Sequence, residues 1–119
     1  MSDSYDDGNV FAKVLAKEIP ADVVYEDDSC LAFRDISPQA PTHVLVIPKS
    51  SIAKLADTTR DDRGVLGHLL WAATEVARRE GLDEDGFRIV INNGVRAGQT
   101  VFHLHVHVLG GRDFQWPPG

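Results

Sequence analysis

Three of the chain's five histidines stand at alternate positions near its end, in the run His103-Leu104-His105-Val106-His107-Val108-Leu109. Successive side chains of a β-strand point to opposite faces. As a strand, the run sets three imidazoles on one face, about 6.5–7 Å apart. Phe102, Leu104, Val106 and Val108 then fall on the other. On a helix, a step of two residues turns by about 200° and the histidines scatter. Two chemistries fit the row. Neutral imidazole is the commonest metal ligand, and His43, which opens an earlier apolar run, would add a fourth donor. Imidazole is also a nucleophile and a proton carrier that titrates near neutral pH. A catalytic metal site usually adds a carboxylate, and the row meets none until Asp113. The histidines alone leave both readings open.

Gly98-Gln99-Thr100 directly precedes the row. Glycine lets a backbone approach closely, and threonine offers a hydroxyl and an amide. Backbone donors at such a turn suit a phosphate. A histidine beside a phosphate cradle points to attack at phosphorus, with a second histidine protonating the departing group. Neither a Walker A loop nor GxGxxG is present, so nothing points to an ordinary ATPase or a dinucleotide oxidoreductase.

The rest of the chain must hold these residues in place. Its 119 residues make one domain, with residues 1–9 expected to be a flexible N-terminus and residues 10–119 the folded unit. The net charge of −6 argues against broad nucleic-acid binding. No apolar run approaches ~18 residues, so no membrane span is expected. The acidic start lacks the basic and apolar parts of a secretory signal, and a cytoplasmic location is expected. The single cysteine, Cys30, permits no internal disulfide and reads as a buried small hydrophobe. The acidic groups, Glu26-Asp27-Asp28 among them, read as solvated turns and helix starts.

Val10, Phe11, Val14 and Leu15 recur at helical spacing, which predicts a short helix over 9–17 with Asn9 as N-cap. Val23–Tyr25 and Leu31–Phe33 read as a hairpin, and His43–Ile47 as a third strand closed by Pro48. Thr58 to Asp62 opens a longer helix with an apolar stripe from Val65 to Ala77 and Gly81 at its end. His68 and Trp71 ride on that helix, and Gly67 is expected to pack closely on a sheet. Phe87–Ile91 and Val101–Leu109 complete the strands. The order α, β, β, β, α, β, β predicts an α+β fold with a five-stranded, mainly antiparallel sheet and two helices. The short first helix leaves one sheet face thinly covered, which hints at a dimer.

The run His103 to Leu109 matches the histidine-triad pattern, and the chain resembles the Hint branch of the histidine triad (HIT) superfamily. The likeness covers about residues 10–119. It includes Lys17-Glu18-Ile19-Pro20-Ala21, Glu26-Asp27-Asp28, Asp35-Ile36-Ser37-Pro38-Gln39-Ala40-Pro41-Thr42-His43, Val46-Ile47-Pro48-Lys49, Leu109-Gly110-Gly111-Arg112 and the ending Trp116-Pro117-Pro118-Gly119. The resemblance implies a homodimer whose two sheets join into one ten-stranded sheet. It implies a purine nucleotide substrate, an AMP or GMP conjugate, whose P–N bond is hydrolysed without metal or cofactor. His105 is then the nucleophile and forms a nucleotidyl-histidine. His107 bonds the phosphate and helps protonate the leaving amine, while His103 and His43 orient the imidazoles. Asn92, Gly98 and Thr100 belong to the phosphate side and Asp35 to the ribose. Val10, Phe11, Val14, Ile19, Phe33, Ile36 and Leu45 line the base pocket, and Trp116 reaches the partner's site.

Two positions depart from the Hint pattern. Thr100 stands where serine is common. Ser51 stands where several relatives carry histidine, which is expected to deprive His43 of an outer partner. Other functions compatible with these residues are a nucleotide-binding interaction module with weak hydrolysis, a dinucleoside polyphosphate hydrolase and a zinc hydrolase.

Overall fold

A computed structural model describes residues 5–119, so the flexible start expected of residues 1–4 lies outside the described residues. Helix α1, Val10–Leu15, starts where Asn9 Oδ1 accepts from the Ala12 backbone N–H at 2.9 Å. That bond satisfies one of the four amides that a helix start leaves open. The helix is shorter than the expected 9–17. Residues 5–9 are engaged by hydrogen bonds that begin at Tyr5 and Asn9.

Strands β1, Val23–Glu26, and β2, Cys30–Arg34, form the expected hairpin. Asp27 organises the turn. Its Oδ1 accepts from the Ser29 and Cys30 amides, and its Oδ2 lies 2.7 Å from the Tyr25 hydroxyl and 2.6 Å from His68 Nε2. The expected solvated turn acid is therefore a partly buried hub. Burial alone would raise its pKa, but the donors from Tyr25, Ser29, His68 and Cys30 hold it well below the usual carboxylate range. Burial, with Asp27 beside it, pushes the Cys30 thiol up to about 12, so Cys30 is an inert core residue.

Strand β3, Thr42–Pro48, follows. A 3-10 turn at Arg60–Asp62 then leads into helix α2, Arg63–Arg79. Thr59 and Asp62 form a reciprocal capping box at that turn. Gly81 has φ +74°, as the position after a helix end demands. Strands β4, Phe87–Val90, and β5, Val106–Gly110, complete one antiparallel sheet in the order β1-β2-β3-β5-β4.

The sheet is covered unequally. Val44, Val46, Val106 and Val108 point to one face, against Leu69, Ala72, Ala73, Val76 and Ala77 of α2. Three alanines at that contact let the helix lie close to the strands. Each fully buried valine or leucine contributes about 1.5–3 kcal/mol. On the opposite face Leu31, Phe33, Leu45 and Ile47 meet Phe11 and Val14 of α1. Two expectations for α2 are corrected. Gly67 is exposed, and a Cβ there would touch nothing within 4 Å, so it makes no close approach to the sheet. Leu70, which falls within the apolar stripe expected from Val65 to Ala77, is 47% exposed and lies off its buried part.

The last strand also differs from its predicted extent. It begins at Val106, not Val101. The β3–β5 register pairs Val46 with Val106 and, continued two residues, would set Leu104 against Pro48, which has no N–H to give. The Leu104 amide turns to Ile52 O at 2.7 Å instead. Leu104 keeps its place in the core, but Phe102 is only partly buried and lies outside that cluster.

Candidate active site

Alternation along β3 and β5 selects the residues that face α1. Leu45 stands opposite His107, and His43 opposite Leu109, all on that face. A cavity of about 290 Å³ opens there. His105, His107, Thr100 and Val101 line it. Asp35 and Ile36 lie near its rim, and Val10, Phe11, Val14, Ile19, Phe33 and Leu45 supply the apolar surface. The expected base-pocket residues and Asp35 are thus brought together. Ile36 is fully exposed there.

The three triad histidines are not equivalent. His105 and His107 have ring centroids 5.0 Å apart and both line the cavity. His103 is 1% exposed and does not. Because it lies before β5, the row is not the even comb that a continuous strand would give.

Hydrogen bonds assign the proton positions on each ring. The Gln39 amide donates to His43 Nδ1 at 3.0 Å, so the neutral His43 ring carries its proton on Nε2. That nitrogen lies 2.9 Å from His107 Nδ1 and donates to it. The proton of His107 then sits on Nε2, the one buried side-chain polar atom without a hydrogen-bond partner among the described residues. In the same way, His105 Nδ1 donates to the His103 carbonyl at 2.7 Å, which leaves His105 Nε2 with a free lone pair. One ring therefore offers an electron pair, and its neighbour offers a proton.

Burial keeps these rings neutral. Desolvation pushes the pKa values of His43, His103 and His105 below the ordinary histidine value. It pushes His107 down to about 4, helped by His105 and His43 beside it. Phe11 packs edge-on to the His105 ring, with centroids 4.9 Å apart, and limits its rotation.

Asp35 accepts from the Ser37 amide with Oδ1, and its Oδ2 lies 3.5 Å from His43 Nε2. The expectation that Ser51 leaves His43 without an outer partner is corrected, because the Gln39 amide fills that role. Asn92 and Gly98 do not line the cavity. Gly98 has φ +91° and closes a 3-10 turn at Val95–Ala97 just before Thr100. That backbone region strains other residues. Trp116 is 82% exposed.

Sequence reasoning did not single out Gln99, which holds this loop in place. It is 3% exposed. Its Oε1 accepts from the Gly94 amide at 2.8 Å, and its Nε2 donates to the Ala53 and Val101 carbonyls. An amide side chain between Gly98 and Thr100 was the available signal. Arg34 also reaches the cavity, but its guanidinium is held in a two-bond pair with Glu80 at 2.9 and 3.0 Å. No local pattern announced that pair, since the residues are 46 positions apart.

Among the described residues, Asp35, His43 and His107 offer ligand atoms within 4.8 Å of one another, as do Asp27, Cys30 and His68. In the first group, two of those atoms already bond to each other. In the second, Asp27 is engaged by four donors and the Cys30 thiol is held protonated. Neither donor set is arranged for a metal as it stands. Both have the chemistry of hydrogen-bond networks.

Comparison with known proteins agrees with this architecture. A HIT-like protein of Synechococcus elongatus, itself uncharacterised, is 58% identical over 110 residues, 92% of this chain and 96% of its own. A "14 kDa zinc-binding protein" of Zea mays is 53% identical over 116 residues, 96% of this chain and 90% of its own. The crystal structure of a HIT family hydrolase from Legionella pneumophila superposes with a TM-score of 0.91 at 51% identity. That match covers 93% of this chain and 99% of the other. The HIT domain family matches residues 16–114, and the chain belongs to that family.

Proposed function

We propose that the chain is a hydrolase of the Hint branch that cleaves the P–N bond of purine nucleoside 5'-phosphoramidates. The observation that carries the reading is the pair of ring nitrogens, a bare Nε2 on His105 beside a protonated, unpartnered Nε2 on His107. The His105 lone pair attacks the α-phosphorus, and an N–P bond forms as the P–N bond to the amine breaks. His107 Nε2–H bonds a phosphate oxygen and helps protonate the departing amine. Water then attacks the nucleotidyl-histidine and gives a proton to His107 Nε2, and the His105–phosphorus bond breaks to release the nucleotide and a neutral His105. A buried donor that meets developing charge stabilises the transition state more than the ground state.

The remaining cavity residues divide by chemistry. Asp35, an acceptor near the rim, is assigned to the ribose hydroxyls. Thr100, Gly98 and Asn92 are assigned to the phosphate, though only Thr100 lines the cavity. Phe11, Phe33, Ile19 and Ile36 give the base an apolar bed. The protein acts as a homodimer in this reading. Strand β4 is a free sheet edge, and Leu70 and Trp71 of α2 are exposed large apolar side chains. Pairing of two β4 edges makes a ten-stranded sheet and brings Trp116 toward the partner's site.

A zinc-dependent hydrolase is the second reading, in which Asp35, His43 and His107 would supply the donors once the His43–His107 bond is given up. One experiment separates the two: turnover of an adenosine phosphoramidate with EDTA present, wild type against His105→Ala. The proposal expects full wild-type turnover in EDTA. It expects His105→Ala to lose nearly all turnover and the covalent nucleotide while still binding AMP. Undiminished turnover in the variant overturns the mechanism, and loss of wild-type turnover in EDTA favours zinc.

A further inference from the structure

Tyr5 lies outside the cavity lining, yet it touches the residue that aims the nucleophile. Its hydroxyl is 2.6 Å from His103 Nδ1, and its ring stands edge-on to the imidazole with centroids 5.7 Å apart. The other His103 nitrogen, Nε2, is 2.9 Å from the Pro48 carbonyl, which can only accept. Nε2 therefore carries the proton, Nδ1 is bare, and the tyrosine hydroxyl donates to it. Asn9 Nδ2 lies 3.1 Å from the same hydroxyl oxygen and donates to it, which leaves the tyrosine proton directed at His103. Asn9 is also the N-cap of α1, the helix whose Phe11 packs on His105.

We propose that Tyr5 is a positioning residue for the hydrolysis, acting through His103; this rests on the phosphoramidase reading. Its hydroxyl and the Pro48 carbonyl grip the His103 ring from both sides. The carbonyl of His103 is thereby held where it accepts from His105 Nδ1, and that bond keeps the His105 lone pair on Nε2. Without the hydroxyl, a buried ring nitrogen loses its partner and the ring is free to exchange its two nitrogens. The segment before α1 is then part of the active-site support.

Two variants of the full chain separate positioning from packing. Tyr5→Phe keeps the edge-on ring and removes only the hydroxyl, whereas Tyr5→Ala removes both. Imidazole nitrogen resonances, steady-state kinetics on an adenosine phosphoramidate and thermal melting are measured for each. The proposal expects the His103 Nδ1 resonance to move in Tyr5→Phe. It expects kcat to fall by roughly ten- to a hundred-fold in both variants, with KM little changed, because a small misplacement of a reacting group costs this much. Tyr5→Phe should melt close to wild type. Unmoved His103 resonances in Tyr5→Phe overturn the proposal, as does a wild-type kcat in that variant whatever Tyr5→Ala does. A wild-type chain that turns over no phosphoramidate is a separate result. It sinks the proposed function, and the ring resonances then decide whether Tyr5 holds His103.

Discussion

His43 Nε2 lies 2.9 Å from His107 Nδ1, a bond between rings on neighbouring strands and 64 positions apart in the chain. It fixes the single ring proton of His107 on the nitrogen that has no other partner. His43→Ala removes the donor and leaves the His107 ring free to turn. The expected outcome is a fall in kcat of roughly ten- to a hundred-fold, less than loss of a general acid–base group itself because His43 acts through His107, with KM little changed. Steady-state kinetics check this, and an unchanged kcat contradicts the assigned role.

All four site histidines have pKa values pushed below the ordinary 6.5, His107 to about 4. The reactive form of His105 is neutral. Activity should therefore decline only at a pH below the ordinary histidine value of 6.5. Stability follows the same sign. The unfolded chain takes up protons near pH 6.5 while the folded rings resist, so stability is lost as pH falls from 6.5 toward 4. A pH series of kcat and of melting temperature tests both. An acid limb centred at 6.5 or above counts against the buried, neutral nucleophile.

Asp27 receives hydrogen bonds from Tyr25, Ser29, Cys30 and His68. Asp27→Ala leaves these donors without their acceptor. The expected destabilisation is about 1–3 kcal/mol, the cost of unmet polar groups. Turnover at low temperature should be preserved, because the hub sits outside the cavity lining. Denaturant titration measures the first effect and an activity assay the second.

The dimer proposed above puts Trp71 in an interface. Sedimentation should give twice the 13.1 kDa of one chain. Trp71→Glu, which sets a charge on that face, should shift the mass toward the monomer. A monomeric wild type sinks the ten-stranded sheet and with it the role of Trp116 in the partner's site.

The elements were legible where one local signal decided them. Asn9 caps α1 as its position before Val10 and Phe11 predicts, and Gly81 ends α2 in the left-handed conformation. The boundary at Val106 was not legible from alternation. It depends on which residue stands across the sheet, and Pro48 becomes the neighbour only once β3 and β5 pair. Gly67 misled for a related reason. A glycine's spacing on a helix does not say which side meets the sheet, and here it lies outward.

By itself, the sequence determined that histidines and apolar residues alternate from His103 into β5. That period is local, so it placed Val106 and Val108 in the core and His107 on the opposite face. It also put Gly98 and Thr100 just ahead of the histidines. Only the tertiary structure decided which nitrogen of each ring holds a proton. The Gln39 amide and the carbonyls of Pro48 and His103 set that choice, and Tyr5 joins them from the far end of the chain. A ring's two nitrogens are alike in a sequence. They become unlike when folding brings a donor to one and an acceptor to the other.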